Sequence, residues 1–149
     1  MIKDFVKAWD LNKNKLEEYI RTHKQKDYCG YKLLVKLLFD IVINPTMEDD
    51  WDMFDTEYIT VINDGNYQGT LIFVLHKDHY QPCVSDYVYT SVGYGSCSGC
   101  DTLQRIYDWD MDLPNEAQIK DYMTLLLHLL QRCHRMGAYD EFEEDDYNG

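Results

Sequence analysis

The sequence predicts an α+β domain, a small antiparallel three-stranded sheet packed with N-terminal and C-terminal helices. Three observations predict it. Apolar residues recur every three or four positions at both ends of the chain, and β-branched and aromatic runs separated by turn residues fill its middle. Where the last of those runs gives way to a helix stands Cys97-Ser-Gly-Cys100. At 149 residues the chain has the length of one domain, expected over residues 1–139, with 140–149 as an acidic disordered tail carrying six carboxylates in ten residues.

From Asp4 to about Lys24 the apolar positions Phe5, Ala8, Trp9, Leu16, Tyr19 and Ile20 have helical spacing, and Asn12 or Asn14 is placed to cap a second piece and split the stretch. Leu33, Leu34, Leu37, Leu38, Ile41 and Val42 give a second helix that Asn44-Pro45 should stop, because proline cannot continue the hydrogen-bond ladder. Residues 48–57 hold six carboxylates and no base, as a short acidic helix or a loop. They do not follow the spacing of a calcium loop, so a solvated acidic face is the expectation.

Tyr58 to Ile62 and Gly69 to Leu75 read as the two strands of a hairpin, with the turn at Asn63-Asp-Gly-Asn66, and Asp86 to Val92 reads as the third strand. After the cysteine pair, Asp101-Thr-Leu-Gln-Arg-Ile106 begins helically, with Asp101 or Ser98 able to cap it, and Asp108 to Pro114 is an acidic loop. The last helix is the clearest. Ile119, Tyr122, Met123, Leu126, Leu129, Leu130, Cys133 and Met136 form a wide apolar stripe, and Gly137 suits the helix end.

Composition narrows the class of function. Hydrophobic residues make up 45% and aromatic residues 14% of the chain, which is the composition of a folding domain. The first residues lack an apolar signal core and no run is long enough to span a membrane, so a soluble protein of the cytoplasm is expected. The net charge of −13 is lopsided. Residues 1–36 hold nine Lys/Arg against five Asp/Glu, and the remainder holds five against 22. Such a field disfavours direct nucleic-acid binding and favours a basic partner, although it also simply keeps a tyrosine-rich chain in solution.

Five cysteines without export signals make a disulfide framework unlikely to be the purpose of the pair. Two thiolates flanking a glycine-containing turn can share one tetrahedral metal, usually zinc, with sulfurs about 2.3 Å from it. Candidates to complete such a site are Asp101, His128 on the flank of the last helix, Cys83, Cys133 and His134. Cys29 and Cys133 also suit ordinary burial. A redox pair and two unbound thiols remain the alternatives, but no later strand or suitably placed proline completes a thioredoxin arrangement. His76 and His79 around Asp78 suit a solvated turn better than a metal, and no phosphate loop, nucleophile elbow or deaminase signature is present. The reading is therefore a structural metal site pinning sheet to helix. An enzyme with a catalytic zinc at the same cysteines is the first rival, and a small accessory protein of other function is the second.

The stretch Tyr89-Thr-Ser-Val-Gly-Tyr-Gly-Ser-Cys-Ser-Gly-Cys-Asp-Thr-Leu-Gln104, with Tyr67 to Val74 before it and Asp121 to Gln131 after it, resembles a group of short phage and prophage proteins. Within that group the sequence is similar to the type II-A anti-CRISPR proteins, phage inhibitors of Cas9, of a kind that carries zinc. The resemblance covers roughly residues 58 to 136 and leaves the N-terminal helices unmatched. It singles out Cys97, Cys100, Asp101 and His128 as recurring positions, whereas Cys83 belongs to this chain alone. It implies a protein that binds Cas9, is not an enzyme, and works in the bacterial host cytoplasm.

Overall fold

The computed structural model describes residues 2–65, 69–95, 101–108 and 110–136. Among these residues the order is helix α1 (Ile2–Thr22), helix α2 (Tyr31–Leu37), strands β1 (Thr60–Gly65), β2 (Gly69–His76) and β3 (Tyr87–Tyr94), helices α3 (Thr102–Ile106) and α4 (Glu116–Gln131), and strand β4 (His134–Arg135). The α+β class is as expected, but the antiparallel sheet has four strands in the order β1-β2-β3-β4. The added strand is the finding. Residues 134–135 were expected to continue the last helix, yet the chain leaves that helix after Gln131, buries Cys133, and pairs His134 with Tyr89 and Arg135 with Val88. A further amide, Met136 N–H, donates to the Tyr87 carbonyl at 3.1 Å. Gly137, expected to end the helix, and the acidic tail 140–149 lie outside the described residues.

The N-terminal helix is not split. Asn12 is buried inside α1, and its Nδ2 donates to the Val42 carbonyl at 3.0 Å rather than capping a new helix. The reason lies in the partner. Beyond Leu37 the second helix widens into a π segment, Leu38–Ile43, and then tightens into a single 3₁₀ turn at Asn44–Thr46 that carries Pro45. The end of any helix leaves its last carbonyls without helical partners. Here Asn12 takes that of Val42, and the Thr46 hydroxyl takes that of Ile43 at 2.7 Å.

The buried stripe also differs from the expected one by one column, with Val35, Phe39 and Ile43 buried in place of Leu33, Leu37 and Ile41. The buried residues are Leu34, Val35, Leu38, Phe39, Val42 and Ile43, two columns spaced by four, while Leu33 faces solvent. At about 100° per residue an α-helix drifts about 40° with every four residues, so a stripe of period four would wander off the core. Wider turns absorb that drift and keep both columns inward.

The sheet packs one face on the helices. Val88, Thr90 and Val92 of β3 stand beside Leu75, Phe73 and Leu71 of β2 on that face, and all but the partly buried Leu71 are buried. α4 packs against β3, and Ile119, Tyr122, Leu126 and Leu129 of α4 share one buried cluster with Phe5, Trp9, Leu16 and Ile20 of α1. Each fully buried side chain of this size contributes about 1.5–3 kcal/mol of transfer free energy. Phe5, Phe39 and Phe54 meet edge to face with ring centroids 5.3–6.5 Å apart. A polar tie crosses this core. Gln25, fully buried, accepts from the Tyr122 hydroxyl at 2.6 Å and donates from Nε2 to the Met111 carbonyl at 3.0 Å. No described helix is long and apolar enough to cross a membrane.

The hairpin turn expected at residues 63–66 is displaced, because β1 stays paired through Gly65, which stands opposite Gly69. A Cβ on Gly69 would lie 2.2 Å from the Asp64 carbonyl oxygen, so only glycine fits. On Gly93, by contrast, the nearest atom would be 3.9 Å away. Gly69→Ala is therefore expected to destabilise the fold by about 2 kcal/mol or more, while Gly93→Ala changes stability by less than about 1 kcal/mol. Urea unfolding of the two variants checks this, and equal midpoints would contradict the packing described.

Candidate metal-binding turn

Residues 96–100, including Cys97 and Cys100, lie outside the described residues, but both of their flanks are described. The two flanks are held together by one side chain. Asp101 is the N-cap of α3, with its oxygen Oδ1 accepting from the backbone N–H of Leu103 at 3.1 Å and of Gln104 at 3.2 Å. The same oxygen accepts from the Tyr31 hydroxyl at 2.5 Å, and Oδ2 accepts from the Gly95 N–H at 3.0 Å. Gln104 completes the clasp by donating Nε2 to the Gly95 carbonyl at 3.0 Å. The last described residue before the cysteines is thus bonded through both its N–H and its carbonyl to the helix after them.

This geometry gives Asp101 the capping task, one of the two expected of it. Three of its four donors fall on Oδ1 and one on Oδ2, and the residue is 4% exposed. It braces the residues on either side of the cysteine pair. Tyr31 reinforces the brace. Burial, and next its bond to Asp101, raise the phenol above its ordinary range, so the hydroxyl stays protonated and donates while it accepts from Leu103 N–H at 3.0 Å. Neither Tyr31 nor Gln104 stands out in the sequence as a site residue. A tyrosine 70 positions upstream of its partner leaves no local signal, whereas Asp at the start of a helical run was legible as a cap.

The other candidates are scattered. His128 lies on the exposed side of α4, beside the buried Leu129 and Leu130, and its ring makes no bond to a described residue. Cys83 is exposed and Cys29 half-buried, while Cys133 is buried. His134 is exposed on β4, 5.5 Å from the Tyr89 ring. His79 is committed elsewhere, with Nδ1 at 3.1 Å from an Asp86 oxygen, Nε2 at 2.7 Å from the Trp51 carbonyl, and its ring stacked on Trp51. His76 bonds the Lys77 carbonyl. Among the described residues no three His, Cys, Asp or Glu side chains come together as a metal site.

Cys133 is the chemical opposite of a ligand thiol. Burial pushes its thiol up to about 12, against a smaller opposing effect of Thr90. Its Sγ lies 3.5 Å from the Leu129 carbonyl, which also accepts the Thr90 hydroxyl at 2.6 Å. Comparison with protein-family models, with curated proteins and with solved structures finds no match for this chain.

Two measurements test these assignments. Asp101→Ala leaves a buried hydroxyl and a backbone N–H unpaired and removes a helix cap, at an expected cost of about 3–5 kcal/mol, against about 1–2 kcal/mol for Tyr31→Phe. Urea unfolding with a chelator present removes any metal contribution, and similar costs for the two variants would refute the brace. The second measurement concerns Cys133. The folded chain holds this proton to about 12, above the ordinary value of 9.0, so the stabilisation is whole below pH 9 and is lost as pH rises through that interval. The loss is about 1.4 kcal/mol per pH unit. Stability of Cys133→Ala should fall less steeply between pH 9 and 12, and parallel profiles would reject the assignment.

Proposed function

We propose that this protein is a phage-encoded inhibitor of CRISPR-Cas9 that binds the Cas9 protein and blocks target-DNA loading or cleavage, with a structural zinc held by Cys97 and Cys100. The observation that carries this reading is the segment Tyr94 to Gln104, YGSCSGCDTLQ, and its resemblance to type II-A anti-CRISPR proteins. The net charge of −13 supports it, because Cas9 must hold nucleic acid and therefore presents basic surface to an acidic partner. The clasp around residues 95 and 101–104 supports the structural role of the metal. Its bonds restrain both ends of the cysteine turn before any ion binds, which suits a closed scaffold site better than an open catalytic one.

In this reading the chain is a binding protein and not an enzyme, and works in the cytoplasm of the bacterial host without touching nucleic acid or membrane. Two thiolates supply half of a tetrahedral zinc site, His128 is the candidate third ligand, and Asp101 positions the turn.

The test uses purified protein and a DNA-cleavage assay with several Cas9 orthologues. Excess protein is expected to suppress cleavage by at least one of them and to co-elute with it in gel filtration. Full cleavage by every orthologue would refute the reading. Elemental analysis is expected to find about one zinc per chain, lost in Cys97→Ser with a lower melting temperature. A chain free of zinc after expression in zinc-supplemented medium would remove the metal from the account.

A further inference from the structure

The sheet leaves one strand outside the body of the protein. All six residues of β1, Thr60 to Gly65, are exposed, although Val61 stands opposite the buried Phe73 on the face that packs on the helices. The helical layer stops short of this strand. Val61 is 41% exposed, Ile62 48% and the preceding Tyr58 72%. β1 is also the end of the strand order, so among the described residues its outer row of backbone N–H and C=O groups has no strand beside it.

Edge strands of this kind are usually guarded by a lysine, a proline, a bulge or a covering loop. Among the described residues none of these guards β1. Its register with β2 runs without interruption from Thr60 to Gly65, and the strand contains neither proline nor a basic residue. Apolar Val61 and Ile62 sit at its centre. A row of free backbone groups with apolar side chains on both faces is the template that β-augmentation uses.

Charge identifies what would lie there. Residues 48–65 hold seven carboxylates and no Lys or Arg. The structure sets part of this acidic run along the same side of the sheet. Phe54 bridges to Lys77, Asp55 N–H donates to the His76 carbonyl at 2.8 Å, and the chain then passes Glu57 into β1. Asp55 and Glu57 therefore lie before the start of the strand and Asp64 near its far end. Lys36 neutralises Glu57 in part, at 3.0 Å, but Asp64 makes no ion pair with a described residue. A second copy of the chain would bring this acidic edge against itself, and like charges brought opposite one another are unfavourable.

We infer that the outer edge of β1 is a docking site for an extended segment of a basic protein, which adds as a fifth strand with lysine or arginine side chains toward Asp55, Glu57 and Asp64 and apolar side chains against Val61 and Ile62. The inference concerns the surface and not the partner's identity, so it stands or falls separately from the Cas9 reading.

The probe is a short peptide of alternating Lys and Val, compared with a peptide of equal length and charge in which proline replaces alternate valines and prevents strand pairing. Affinity is read by calorimetry with the full chain, and contact by hydrogen exchange of the amides of residues 60–65. The Lys-Val peptide is expected to bind about tenfold tighter than the proline peptide and to slow exchange across β1. Ile62→Lys, which keeps the backbone but guards the edge, should abolish that preference while leaving the far-ultraviolet circular dichroism unchanged. Val61→Lys serves the same purpose if Ile62→Lys does not fold. Equal binding of the two peptides would mean attraction by charge alone and would overturn the inference. So would protection of residues 60–65 that appears with rising protein concentration and no peptide, because the occupant would then be a second copy.

Discussion

The candidate site depends on one buried carboxyl group. Asp101 receives donors from three separate segments, Tyr31 at the start of α2, Gly95 after β3, and the first turn of α3. Backbone groups in a buried turn must find partners, and a carboxyl group answers several at once at the cost of its own burial. The end of β3 is thereby tied to the start of α3. The same carboxyl group also ties the N-terminal helix pair to the residue that follows the cysteine pair, through the Tyr31 hydroxyl.

Much of the fold was legible. The β2 and β3 strands follow from their β-branched and aromatic runs, α4 from its apolar stripe, and the α+β class from the order of both. The errors have a common physical origin. Asn12 looked like a cap because asparagine commonly caps, but a carbonyl 30 residues away, freed where α2 ends, supplies it with a buried partner instead. The short strand β4 was invisible because two residues carry no periodicity. Cys133 and Met136 continue the helical stripe in sequence, while the chain has already turned to pair with β3.

The site was legible in part for a related reason. The close spacing of Cys97 and Cys100 is visible in the sequence whatever surrounds it, whereas a single Asp or His announces nothing specific. The same carboxylate chemistry that ligates a metal also caps a helix, and Asp101 caps α3. The exposed edge of β1 was hidden differently. Sequence alternation predicts a strand but does not say how far the helical layer reaches across it, and only the three-dimensional arrangement leaves Val61 uncovered on the face that is buried in β2 and β3.

The π segment at Leu38–Ile43 governs more than the packing of its own side chains. A helix is a screw, and in the α form one residue is worth about 100° of rotation and 1.5 Å of rise. Asn44 anchors the far end of that screw, with its side chain bonded to both the N–H and the carbonyl of Phe54. The extra width of the π turns thus sets the azimuth at which Tyr31 emerges at the other end. Chain length within the segment acts as a phase adjustment. Loss of one residue there would rotate Tyr31 relative to Asn44 and turn the phenol away from Asp101, so the tie between Tyr31 and the residue that follows the cysteine pair depends on the length of a segment remote from it in the chain.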